Sequence, residues 1–77
     1  MNLYQCEEAA RDLDFEGAKF IALFPGGVFE CQWLDAYMGI FKINNVKELE
    51  GKFLTTREVD KQYPDLYCSE PYLEESL

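Results

Sequence analysis

Three thiols and a large excess of carboxylates are the groups in this chain that could do chemistry. Cys6, Cys31 and Cys68 form no C-x-x-C pair, and they stand among 15 acidic and 7 basic residues with no histidine at all. Three thiolates and one carboxylate could formally complete a tetrahedral zinc site. Their wide spacing is not that of a zinc module, so we expect neither a metal nor a cofactor. A nucleophilic Ser or Cys needs a base within reach, and the residue that most often serves is missing. Paired carboxylates can act as acid and base, but 15 acids in 77 residues bring such pairs together without any catalytic purpose. The expectation is a protein that is not an enzyme. A sparse, odd set of cysteines fits a reducing compartment and free, mostly buried thiols. That implies a cytoplasmic setting, with Cys68, between Tyr67 and Ser69, as the thiol most open to solvent.

Two short patterns carry no further chemistry. Pro25-Gly26-Gly27 lacks the following Lys and helix of a phosphate cradle and reads as a hairpin turn. Tyr63-Pro64-Asp65-Leu66 has the shape of a tyrosine-based sorting signal, but four loosely specified positions recur by chance.

The distribution of charge says more than the cysteines do. The net charge is −8, which argues against direct nucleic-acid binding, because affinity for phosphate comes from Lys and Arg. It favours attraction to a basic protein surface. Residues 1–17 set Glu7, Glu8, Asp12, Asp14 and Glu16 against Arg11 alone; residues 18–45 are neutral; residues 46–77 are again strongly acidic. Acids in a first helical turn suit the helix dipole, whereas Asp12, Asp14 and Glu16 lie at the wrong end for it. Candidate partner-binding residues are therefore Glu7, Glu8, Asp12, Asp14 and Glu16 at one end, and Asp65, Glu70, Glu74 and Glu75 at the other. Duplex DNA carries one charge per about 1.7 Å of axis, so a row of carboxylates can imitate it to a DNA-binding cleft.

The elements that must position these groups are those of one small α+β domain, residues 1–77. Hydrophobic residues make up 48% of the chain and aromatics 16%, too many for an acidic disordered tail. No apolar run approaches the ~18 residues of a membrane span, and no basic region precedes an apolar stretch at the start, so no signal peptide is expected. Residues 1–17 read as a helix. Asn2 and Gln5 have the spacing of a capping box, Leu3, Cys6, Ala9 or Ala10, and Leu13 make one apolar stripe, Glu7 pairs with Arg11, and Gly17 stops it.

Residues 18–43 read as a three-stranded antiparallel meander over Ala18–Phe24, Val28–Leu34 and Tyr37–Ile43. The first turn is a three-residue loop, Pro25-Gly26-Gly27, and the second is Asp35-Ala36. With those turns Ile21, Leu23, Phe29, Cys31, Trp33, Met38 and Ile40 share the core face beneath the helix, with Trp33 beside Met38. Phe20, Phe24, Val28, Leu34, Tyr37, Phe41 and Ile43 then share the other face. A one-residue slip exchanges the faces of a strand. Asn45-Val46-Lys47-Glu48 and Thr55-Thr56-Arg57-Glu58 open two short helices, roughly 46–51 and 56–63. Residues 64–77 form an acidic extended tail.

Two functions from different classes follow. One is a non-enzymatic binding protein, an inhibitor or adaptor that docks its acidic ends on a basic, nucleic-acid-binding partner. In size, acidity and α+β character the chain is similar to small phage-encoded proteins that block host nucleases, restriction enzymes or CRISPR effectors. That resemblance rests on no motif and transfers no residues. The other is a self-associating structural domain, a homodimer joined through Phe20, Phe24, Leu34, Tyr37 and Phe41 if the later helices leave that face open.

Overall fold

The chain begins with a helix that is capped twice. The computed structural model describes residues 1–14, 16–43 and 54–74. Helix α1 (Leu3–Asp12) opens with the expected capping box: Asn2 Oδ1 accepts from Gln5 N–H at 2.9 Å and Gln5 Oε1 from Asn2 N–H at 3.1 Å. A second cap arrives from across the molecule. The Asp60 carboxylate, on helix α2 (Thr56–Gln62), accepts from the N–H groups of Leu3 and Tyr4, each at 3.1 Å. These donors have no partner inside a helix. Helix α1 ends at Asp12, five residues short of Gly17, because Asp14 takes a left-handed conformation (φ 47°) and turns the chain away. Leu13, expected in the apolar stripe, is consequently exposed.

Five antiparallel strands follow: β1 (Lys19–Phe24), β2 (Gly27–Asp35), β3 (Ile40–Ile43), β4 (Leu54–Thr55) and β5 (Tyr67–Cys68). Their order in the sheet is β4-β3-β2-β1-β5. The central meander is present, and the two outer strands come from segments that the sequence did not mark as strands. The expected helix at 46–51 lies outside the described residues. The one at 56–63 is α2, with Thr55 Oγ1 accepting from Glu58 N–H at 3.4 Å. Residues 67–72 of the expected extended tail run along the edge of β1, through the β5 ladder and a further bridge between Lys19 and Tyr72.

Both turns of the meander differ from expectation; the shorter first loop inverts β1, and a bulge between Trp33 and Asp35 inverts β3. Phe24 pairs with Gly27, so the first loop is the two residues Pro25-Gly26, and Gly27 (φ 136°) belongs to the ladder. The second loop is four residues, Ala36 to Gly39, with Asp35 opposite Ile40. Asp35 Oδ1 accepts from the N–H groups of Tyr37 and Met38 at 3.0 and 3.1 Å, the local bonding that makes Asp a turn initiator. Gly39 closes the turn at φ 68°.

The core face is therefore Phe20, Ala22 and Phe24 of β1, Phe29, Cys31 and Trp33 of β2, and Phe41 and Ile43 of β3. The face of β2 agrees with the sequence reading; those of β1 and β3 are reversed. Ile21, Leu23, Met38 and Ile40 leave the core, and Met38, expected beside Trp33, is 69% exposed. Trp33 instead packs with Phe20 and Phe41, at ring separations of 4.7 and 5.5 Å. Its indole N–H has no acceptor among the described residues, so packing alone holds the ring. Helix α1 lays Leu3, Cys6 and Ala10 on this cluster.

Cysteine usage is also corrected. Cys6 and Cys68 form a disulfide with a Cα–Cα separation of 6.4 Å, and Cys68 is fully buried. All three were expected to be free, with Cys68 the most exposed; only Cys31 is free, and it is buried as expected. No helix among the described residues is long and apolar enough to cross a membrane.

Gly39 is the least replaceable residue of the meander. A Cβ there would overlap the Glu7 carboxylate and come within 2.9 Å of Thr56 Oγ1, on a backbone that disfavours any side chain. Gly39→Ala is expected to cost about 3 kcal/mol in urea denaturation, combining left-handed strain with overpacking. In a Glu7→Ala background, which removes the main clash, the same change is expected to cost at least about 1 kcal/mol less.

Candidate functional site

The end of α1, the β2–β3 turn and the start of α2 converge on Arg11. Its Nε donates to Ala36 O at 3.1 Å and its Nη2 to Tyr37 O at 2.9 Å, fixing the turn against the helix. The same guanidinium lies 3.5 Å from Glu7 Oε1, the expected i, i+4 pair. Glu7 is only 4% exposed. Burial raises its pKa, Arg11 opposes that rise, and Glu8, Arg57 and Asp60 add smaller effects. Glu7 is thus a structural carboxylate and is not part of an outward display.

Two open clefts flank Arg11 and Tyr37. One, of about 360 Å³, is walled by Asp14, Glu16 and Ala36. The other, of about 660 Å³, lies between Tyr4 on α1, Met38 on the turn and Arg57 and Glu58 on α2. Tyr37, 62% exposed, stands between them. Its hydroxyl donates to Asp14 Oδ1 at 2.6 Å, and that bond, reinforced by the Asp14 charge, raises the Tyr37 pKa. The Glu8 carboxylate acts in the same way on Tyr4, one turn earlier in the helix. Sequence reading missed Tyr4, Met38 and Arg57. The position of Tyr4 four residues before Glu8 was a usable signal, whereas Met38 and Arg57 meet it only through the tertiary fold.

The sequence-predicted acids divide into several groups. Glu8, in the middle of α1, and Asp12, Asp14 and Glu16, at and beyond its end, are exposed and in no ion pair among the described residues. Asp65 is exposed at a separate, more apolar cleft formed with Leu23, Pro25, Tyr63 and Pro64. Glu70 is exposed after β5. Glu74 is paired with Lys19, which also lies 3.3 Å from Glu30, so one cation is shared between two carboxylates. Glu75 lies outside the described residues.

The five residues of the self-association alternative do not share a face. Phe20, Phe24 and Phe41 are buried in the core, Leu34 is on the opposite side of the sheet, and Tyr37 is on the turn. The reversed registers of β1 and β3 are the cause. Among the described residues there is no cluster of three or more metal-ligating side chains. No known family, curated protein or solved structure matches this chain.

The raised pKa of Glu7 fixes the sign of a pH effect. The folded state holds this proton more tightly than the unfolded chain does. Stability due to Glu7 is therefore greatest below the ordinary carboxylate value and falls as pH rises through the raised one. Comparing urea midpoints of wild type and Glu7→Gln across the acidic range, wild type is expected to gain on the variant as pH drops. A relative loss on acidification contradicts the assignment.

Proposed function

We propose that the protein is a non-enzymatic inhibitor or adaptor that docks the acidic end of α1 on the basic surface of a nucleic-acid-binding protein. The observation that carries this reading is the absence of counter-ions for Glu8, Asp12, Asp14 and Glu16 among the described residues, while the nearest cation, Arg11, is committed to Glu7 and to the turn carbonyls. Exposed charge of one sign raises the rate of encounter with a surface of the other. The neighbouring side chains suit an interface. Tyr4, Tyr37 and Met38 are all exposed beside the acids, and Tyr and Met are enriched where proteins bind one another. An Arg- or Lys-bearing segment laid across Tyr37 meets carboxylates for its charges and aromatic and thioether surface for its stems. Asp65 and Glu70 extend the acidic surface at a second place and make a smaller contribution.

A labelled Arg- and Lys-rich peptide serves as the probe. Binding measured by anisotropy is expected to weaken at least about tenfold between about 0.1 M salt, where screening acts over about 10 Å, and about 1 M, where it acts over about 3 Å. Glu8→Lys, Asp12→Lys, Asp14→Lys and Glu16→Lys together are expected to remove another factor of about ten or more, with the fold intact by circular dichroism. Reversal of Asp65 and Glu70 weakens binding less. Affinity indifferent to salt and to the α1 reversals defeats the proposal.

A further inference from the structure

The disulfide between Cys6 and Cys68 spans 62 residues of sequence and joins α1 to an edge strand of two residues. The rest of that segment buries Leu66 and Pro71 and is tied by a small set of hydrogen bonds. Ser69 N–H donates to Ile21 O at 2.8 Å, and Ile21 N–H donates to Ser69 Oγ at 2.9 Å. Lys19 and Tyr72 exchange backbone bonds of 2.9 and 2.8 Å. Met1 and Cys68 bond through their main chains at 3.1 and 2.6 Å. The ion pair of Lys19 with Glu74 is exposed and contributes little. An edge strand this short has little stability of its own. The carbonyl of Ser69 lies within 3.3 Å of the Cys6 sulfur and 3.2 Å of the Cys68 sulfur, so an acceptor stands ready for both thiols once the bond is broken. The site is equipped for either oxidation state.

We infer that Cys6 and Cys68 form a redox latch whose oxidation state sets whether the segment 66–74 stays on the edge of β1. This inference is independent of the docking role of the α1 acids. In reduction, the thiolate of a dithiol attacks one of the two sulfurs, the S–S bond breaks and a mixed disulfide forms. The second thiolate of the reductant then displaces the protein sulfur. The protein gains two electrons and two protons as two thiols, and the reductant leaves as its own cyclic disulfide. Both cysteines are fully buried, so attack proceeds through an opening of the 66–74 segment. Cys31 takes no part: it is buried on the core face of β2, and burial pushes its pKa up to about 12, which keeps it a thiol. Opening the latch leaves the backbone groups of β1 that face β5 without partners, and an unpaired edge of that kind accepts an added strand.

The test uses the intact chain with dithiothreitol, read by amide hydrogen exchange. On reduction the Ser69 and Tyr72 amides are expected to exchange at least about tenfold faster, while the Trp33 amide, bonded to Ala18 O at 2.8 Å in the centre of the sheet, keeps its protection. Iodoacetamide then labels Cys6 and Cys68 in the reduced native protein, and Cys31 only in urea. Cys68→Ser is expected to show the reduced exchange pattern without reductant. Equal acceleration at Trp33 on reduction would make the bond a staple of the whole fold and overturn the latch. Unchanged exchange at Ser69 and Tyr72 would overturn it as well.

Discussion

A buried carboxylate fixes how the helix meets the sheet. Glu7 points from α1 against Gly39, at a place where any side chain on that residue would overlap it. Its charge is answered on its own helix by Arg11, whose remaining donors reach Ala36 O and Tyr37 O. Pairing a buried carboxylate with a partly exposed guanidinium is a weak source of net stability, because desolvation offsets much of the attraction. Its value here is geometric. The Glu7 carboxylate leaves room only for a glycine at position 39. The four-residue turn and the bulge between Trp33 and Asp35 together set the register in which Phe41 and Ile43 face inward to meet Phe20 and Trp33.

The same interaction explains which parts of the molecule were legible in the sequence. Local chemistry read correctly wherever its partners are close in the chain: the Asn2–Gln5 capping box, the Glu7–Arg11 pair, the Thr55 cap, and the inward face of β2. The turns did not read correctly, although their signals were present. Asp35 initiates its turn through its own side chain and Gly39 ends it in a left-handed conformation, a pattern that outweighs the apparent brevity of Asp35-Ala36. Because side chains alternate along a strand, miscounting a loop by an odd number of residues inverts the face of the next strand. The first loop was overcounted by one, which inverted β1; the second was undercounted by two, and there the inversion came from the bulge between Trp33 and Asp35, so that three core phenylalanines were read as a dimer surface. The pairing of Cys6 with Cys68 and the capping of α1 by Asp60 were not legible at all, since they join residues 62 and more than 50 positions apart through the tertiary fold.

Commitment of Arg11 to the core has a consequence for the surface. In sequence, Arg11 is the one base among the first 17 residues, and it stands within a turn or two of Asp12, Asp14 and Glu16. Had it pointed outward, it would have screened them. Instead it serves Glu7 and two carbonyls, and the acids beyond it repel one another at the helix end where the macrodipole is also unfavourable. Asp14 is placed by its left-handed backbone and by the bond from the Tyr37 hydroxyl, whereas Asp12 and Glu16 make no side-chain hydrogen bond or ion pair among the described residues. A chain this small has a narrow margin of stability, and like charges held together at its surface draw on that margin.

The two ends of α1 are held very differently, and this gives the binding reading a mechanical basis. At the N-terminal end the Asn2 cap, the Asp60 carboxylate, the main-chain bonds of Met1 to Cys68 and the disulfide at Cys6 all meet within two turns. At the C-terminal end Leu13 is exposed, Asp14 has left the helix, and the principal tie to the rest of the protein is Arg11 reaching the β2–β3 turn. Opening free energies vary across a structure, and binding segments come from the less stable parts. Anchoring one end of the helix firmly lets the other present carboxylates, Tyr37 and Met38 on a surface with few packing obligations. A partner that closes over this end adds the contacts it lacks, and the rigid end limits how much order has to be gained on binding.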